Sequence, residues 1–539
     1  MASHRITARR AGNAPPPPIA RDEVALAGIR EDAAHHPGGH ASGVAHPRNE
    51  AEVAALLRQA ARVLPVGAQS SLTGGATPMG DLVIATTRMD HILRVGEGEV
   101  VVEPGVPLSR LQDALRRAGA WFPPAPTFDG AFAGGIVATN AAGAATFKYG
   151  GTRDWVKRLT VVLATGDVLE IDRDAVRSHD DGFFEVETSA GSVHVPVPGY
   201  RMPPVAKCSA GYFARPGMDL IDLFIGSEGT LGIVTEIAFR VVSPAPTTCT
   251  VWMTLASERD AIDLVGRLRD ASRATWRDRD PRGIDVTGVE HLDRRSLDLV
   301  RATGADRRHG VTVPADTAVA LLAQIELPTD VVATAEDAYE QIAAAGTAEA
   351  PDTPLVRLSR LVGQFGALDR AEIVLPHDRR RRDQLARFRE AVPEAVNKLV
   401  GRAKRKVDAR IEKTAADMIV PFEAMGAGLN LFRTAFERRG LDYAIWGHLS
   451  DGNVHPNVIP RTLAEVQRGQ EAILACGEEV VRLGGCPLAE HGVGRSPVKQ
   501  ALLRRMYGNA GIAEMRRIKA ALDPAGKLAP GVLFAARRA

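Results

Sequence analysis

Apolar positions in the first half of the chain come as short β-branched runs. Residues 82–85, 100–102, 159–163 and 233–242 predict strands, set apart by Gly/Pro turns. Helical spacing predicts helices over 50–62 and 108–118. The stretches 63–87 and 128–151 hold too many small residues for packing faces and predict loops where backbone approaches a ligand closely. A Ser/Pro/Thr cluster at 243–248 breaks the pattern and predicts a domain boundary. Beyond it helices alternate with strands, and Gly-rich loops return from about residue 480.

Length and charge narrow the picture. At 539 residues there is room for several modules. A net charge of +2 lacks the basic excess that nucleic-acid binding needs. The longest apolar runs are strand-sized, so no membrane-spanning helix is expected. The first 30 residues are basic, contain Pro15–Pro18 and lack an apolar core, which predicts a disordered tail rather than a secretory signal. Four scattered cysteines without a CxxC pair disfavour a disulfide scaffold or an iron–sulfur cluster and point to a reducing, cytoplasmic compartment. Redox chemistry would then need an organic cofactor. Residues 379–413 carry thirteen Lys/Arg against five Asp/Glu, either a solvated helix face or a patch for anions.

Three loops carry the cofactor signal. The first, Val66-Gly67-Ala68-Gln69-Ser70-Ser71, follows a helix and a short strand; its small residues can turn backbone N–H groups inward as an anion nest suited to a pyrophosphate. The second contains Thr127, Gly134, Gly135, Thr139, Asn140, Gly143 and Gly150, and the third runs through Gly226-Ser227-Glu228-Gly229-Thr230-Leu231-Gly232-Ile233. No phosphate-binding GxxxxGK[ST] loop and no GxGxxG opening a βαβ unit is present.

A second constellation reads as a metal site. In Trp446-Gly447-His448-Leu449-Ser450-Asp451-Gly452-Asn453-Val454-His455, Asp451-Gly452 predicts a two-residue hairpin turn. That register would set His448 opposite His455, close enough to share a cation, with Asn453 on the face of His455. Glu490, in Ala489-Glu490-His491-Gly492, is the carboxylate best suited to complete the set, with His491 beside it on the same turn.

In the order and spacing of these loops the chain resembles the FAD-binding domain of the vanillyl-alcohol oxidase/p-cresol methylhydroxylase superfamily. The closer resemblance is to its D-lactate, glycolate and D-2-hydroxyglutarate dehydrogenase branch. It implies an α+β chain: a tail over 1–30, a two-subdomain FAD-binding domain of the p-cresol methylhydroxylase type over 31–245, a substrate domain over 246–480, and a C-terminal segment over 481–539 completing the site. FAD would be non-covalent, with its pyrophosphate on Gly67–Ser71, the second loop lining flavin and ribityl, and the Ile233 backbone against isoalloxazine or adenine. His448, His455 and Glu490 match the divalent-metal ligands, usually zinc, and His491 the catalytic base. Arg389 matches the residue holding the substrate carboxylate, and Asn453 is a further candidate substrate contact.

The expected activity is oxidation of a small D-2-hydroxy acid to the 2-oxo acid. An external quinone, cytochrome or electron-transfer flavoprotein would accept the electrons, and the protein would be a homo-oligomer, cytoplasmic or peripheral at the membrane. The alternatives are a transferase resembling alkylglycerone-phosphate synthase and an oxygen-using oxidase. Three departures stand out: relatives usually read GGGTS where this chain has Gly67–Ser71, Ala529 replaces an Asn before the last Pro-Gly, and Ala415 replaces a Lys.

Overall fold

The computed structural model describes residues 3–124, 126, 128–328 and 335–535. They divide into two compact units, one of Met1–Gly143, Gly150–Ala245 and Leu488–Ala539, the other of Ala144–Tyr149 and Pro246–Pro487. Both mix helices with sheets, an α+β architecture.

In the first unit, a four-stranded sheet orders Ile19–Ala20, His40–Ala45, Met79–Ala85 and Val63–Val66, the last three parallel. The helix Glu50–Gln59 crosses between parallel strands and buries Val53, Leu56 and Leu57 in a core with Val63, Ile84 and Val162. Asn49 caps it, accepting from the Glu52 N–H at 3.0 Å. A six-stranded sheet is built from Arg9–Arg10, Asp167–Asp172, Val156–Val162, Ile233–Arg240, Glu99–Val102 and Ile92–Gly96.

Two expectations are corrected here. The N-terminal segment is no loose tail: Arg5–Thr7 pairs with Phe183–Thr188, Arg9–Arg10 with Asp167–Asp172, and Ile19–Ala20 with His40–Ala45. Its basic residues meet acidic partners, Arg9 reaching Glu170 at 2.7 Å and both Glu50 oxygens at 2.7 and 2.8 Å. Within 128–151, expected as loop, Ala133–Ala138 is a helix, anchored where Ala133 N–H donates to Val106 and Gly134 N–H to Pro104.

The second unit is built on one antiparallel eight-stranded sheet. Its order is Ala371–Val374, Thr247–Leu255, Val319–Leu327, Asp285–Asp293, Tyr443–His448, Asn453–Val458 and Thr414–Ala415, with Met418–Ile419 also paired to Asn453–Val458. Strands alternate apolar positions onto a core of Trp252, Leu292, Leu322 and Trp446, against which the long helix Arg379–Lys406 lays Leu385, Phe388, Val392 and Val396. No helix among the described residues is long and apolar enough to cross a membrane.

Candidate functional site

The first unit encloses a cavity of about 330 Å³. Its walls include Val66, Gly67, Ala68, Gln69, Ser70 and Ser71 from the first loop, Gly134, Gly135 and Thr139 from the second, Ile233 from the third, and both Glu490 and His491. Three predicted contacts lie off this wall: Asn140, whose side-chain oxygen accepts from the Arg153 N–H at 2.9 Å, Gly143 and Gly150. Thr127 lies outside the described residues. Gln69 adopts the left-handed conformation (φ 53°) that a Gly would take without strain. Hydrogen bonds offset the strain: its side-chain amide donates to the Glu31 carbonyl at 3.0 Å, and its own carbonyl accepts from Ala33 N–H at 2.9 Å.

The turn bearing Glu490 and His491 is held by its backbone. Glu228 accepts the N–H groups of Val493 and Gly494, each at 2.8 Å. Burial raises the Glu228 carboxyl and these two N–H groups lower it, leaving it at about 7. Gly494 (φ 57°) passes so close to Thr73 that a Cβ would come within 2.2 Å of its hydroxyl. Glu490 pairs with the buried Lys207 ammonium at 2.8 Å, and its other oxygen lies 3.6 Å from His491 Nε2. Neither Lys207 nor the clamp role of Glu228 stands out in the sequence, since Lys207 sits in an unpatterned loop.

In the second unit the hairpin carrying the two histidines departs from the expected register. Residues Leu449–Asp451 form a 3₁₀ turn closed by Gly452 (φ 85°), so His448 faces Asn453 and Trp446 faces His455. A tight two-residue turn is precluded because Ser450 accepts the Val289 N–H at 2.9 Å, and because Gly452 abuts the Val420 carbonyl so closely that a Cβ would lie 2.1 Å from it. The histidines still meet. His448 and His455 are diagonal neighbours on one face, with ring centroids 5.5 Å apart and candidate ligand atoms within 4.8 Å.

Glu290, missed in the sequence, organises this face. It stands opposite His448 on the adjoining strand and takes a hydrogen bond from His448 Nδ1 at 2.9 Å. Its second oxygen accepts from Arg389 Nε at 3.0 Å and pairs with Nη2 at 2.9 Å. Burial alone would raise this carboxyl, but the Arg389 charge and the hydrogen bonds from His448 and Arg389 win and hold it well below the usual carboxylate range. An ionised Glu290 requires the proton on His448 Nδ1, which puts the lone pair on Nε2. That is the carboxylate–histidine arrangement of a metal ligand, so the donor set fits a divalent cation. The sequence offered little signal, since Glu290 stands beside His291 in the mixed strand Asp285–Asp293 and only its burial shows that its charge needs a partner.

Arg389 reaches Glu290 because its neighbour Phe388 is fixed edge-on to Trp252, with centroids 5.4 Å apart. Asn453 donates to Asp417 at 3.0 Å and to the Met418 carbonyl at 3.1 Å, which places Asp417 3.6 Å from His455 Nδ1. Tyr149 turns its hydroxyl to Glu326, a packing role within the second unit.

Comparison with known proteins identifies the scaffold. Residues 41–172 match the FAD binding domain family, and residues 264–533 match the family described as FAD linked oxidases, C-terminal domain. The chain belongs to the FAD-linked oxidases. It is 27% identical over 499 residues to the glycolate oxidase subunit GlcD of Bacillus subtilis (strain 168), covering 91% of this chain and 88% of the relative. It is 29% identical over 511 residues to the D-2-hydroxyglutarate dehydrogenase of Xanthomonas citri pv. viticola, covering 91% and 89%. Among solved structures, an alkyldihydroxyacetonephosphate synthase superposes with a TM-score of 0.60 at 15% identity, over 95% of this chain and 82% of that one, a likeness of fold alone. This FAD-linked oxidase has the FAD-binding fold of the p-cresol methylhydroxylase type, and its relatives include hydroxy acid dehydrogenases.

Proposed function

We propose that this FAD-linked oxidase converts a D-2-hydroxy acid to the 2-oxo acid, with His491 as the base that takes the hydroxyl proton. The observation that carries the reading is that His491 opens onto the same cavity as the 66–71 loop, beside Glu490. FAD supplies the hydride acceptor, and the protein's share is orientation and proton removal.

In this reading Arg389 binds the substrate carboxylate. Glu290 occupies its Nε and Nη2 and so fixes the plane of the guanidinium, which has further N–H donors for an anion. His448 and His455 would hold a divalent cation, zinc in our proposal, which would make the substrate hydroxyl easier to deprotonate. Their support is the shared face and the Glu290 bond that sets the His448 tautomer. Glu490 is the proposed third ligand, on the grounds of its chemistry and of the sequence resemblance. Its membership is tested by metal analysis of Glu490→Gln. An external acceptor, outside a chain without paired CxxC motifs, would reoxidise the cofactor.

Anaerobic mixing with D-lactate, glycolate, D-2-hydroxyglutarate and the L-isomers, followed by flavin absorbance, tests the whole. Bleaching by one D-acid is expected. In His491→Ala that bleaching should slow by roughly 10²–10⁴-fold, the range for a positioned base, with FAD and metal retained. An unchanged rate in the variant overturns the assignment of the base.

A further inference from the structure

Lys207 is a buried cation that the proposed reaction does not use. The Lys207 side chain is fully buried (0% exposed), and its ammonium lies 2.8 Å from Glu490 Oε2, itself on a side chain only 7% exposed. The two segments are joined by backbone, as Ser209 N–H donates to the Leu488 carbonyl at 2.9 Å, which brings residue 207 beside residue 490.

Lys207 is not needed to shape the turn. Glu228 already holds the N–H groups of Val493 and Gly494, Lys499 donates to the Gly492 carbonyl at 3.3 Å, and the Thr73 carbonyl accepts from Arg495 and Ser496 N–H at 2.9 and 3.0 Å. What Lys207 adds is charge at one carboxylate. In a medium of low dielectric, two cations that share one carboxylate oppose each other strongly.

We propose that Lys207 is a positioning residue for Glu490 that sets the charge of the cation site: its ammonium is the resident counter-ion of the carboxylate and weakens the hold of a divalent cation on Glu490, keeping that cation exchangeable. The inference rests on the reading of Glu490 as a metal ligand.

The test uses the full-length flavoprotein stripped of metal, titrated with Zn²⁺ by calorimetry at pH 8, in wild type, Lys207→Met, Lys207→Arg and Glu490→Gln, with FAD content and melting temperature as folding controls. Lys207→Met should bind Zn²⁺ at least about tenfold more tightly, whereas Lys207→Arg, which keeps the charge, should stay close to wild type. Glu490→Gln should bind more weakly. Unchanged or weaker binding in Lys207→Met, alongside weakened Glu490→Gln, overturns the role of Lys207. Undiminished binding in Glu490→Gln overturns the ligand assignment itself. If Lys207→Met fails the folding controls, Lys207→Gln replaces it with the same expectation.

Discussion

Exchanging Glu290 for glutamine changes one atom type and should disable two neighbours at once. The Glu290 carboxylate neutralises the buried Arg389 guanidinium and accepts the Nδ1 proton of His448. Glutamine keeps the shape but loses the charge. Its oxygen can still accept from Arg389, but the amide group then presents N–H donors to His448 Nδ1, which must give up its proton and become the acceptor. The ring proton moves to Nε2, the atom that would have to face the proposed cation. Disturbing such an outer-shell carboxylate typically lowers metal affinity about 10–100-fold. Leaving Arg389 buried without its counter-charge costs about 3–5 kcal/mol. For a unit of this size each kcal/mol moves the melting temperature by about 2–4 °C, so a fall of about 10 °C is expected.

The assay is a melt followed by near-UV circular dichroism, run beside metal analysis of the purified Glu290→Gln protein. Replacing both partners, as Glu290→Gln/Arg389→Met, should recover much of the lost stability, because the pair no longer leaves a buried charge uncompensated. The pH dependence has a definite sign. A carboxyl whose folded-state pKa is depressed contributes stability that is present above its ordinary pKa and is lost as pH falls below it, and this acid-side loss should be absent in the glutamine variant. A Glu290→Gln protein that melts within about 2 °C of wild type and retains full metal would refute the linkage among these three side chains.

Two further outcomes follow from other positions. His291 is fully buried, neither ring nitrogen has a hydrogen-bond partner among the described residues, and burial lowers its pKa from 6.5 to about 4. Because the unfolded chain protonates first, stability should fall as pH drops from 6.5 toward 4, by about 2 kcal/mol at pH 5, and acid titration of His291→Leu should show a shallower slope. At Gln69, substitution by Ala keeps the left-handed strain and removes the bond to Glu31, which should cost about 1 kcal/mol and weaken FAD retention. Gln69→Gly loses the bond but sheds the strain, and its melting temperature should stay closer to wild type; equal losses in both variants would contradict this.

What was legible in the sequence is what short-range geometry dictates. The 66–71 loop reads as a ligand cradle because small residues and hydroxyls are local signals, and its walls do line a cavity. Even the departure at Gln69 was visible, but its remedy was not, since the stabilising acceptor is a carbonyl 38 residues away. The histidine pair shows the same division. Period-two alternation places His448 and His455 on one face for any register that keeps their separation odd or even in step, so their proximity survives the change from direct to diagonal neighbours. The turn itself depends on Ser450 binding Val289 and on Gly452 meeting Val420, contacts from strands far away in sequence, and no dipeptide preference encodes them.

The same reasoning explains why Glu290 and Lys207 went unread. Each is a charge whose meaning lies wholly in its partner, His448 and Arg389 for one and Glu490 for the other, and each partner is remote along the chain. The N-terminal segment went the opposite way: its basic composition predicts a disordered tail, yet Arg9 meets Glu50 and Glu170, because composition counts charges without knowing which sheet edge will meet them. Local pattern therefore finds the groups able to bind a cofactor or a cation, while the long-range pairing of buried charges decides which partners hold those groups. In this FAD-linked oxidase the roles proposed for His448 and Glu490 rest on that second layer.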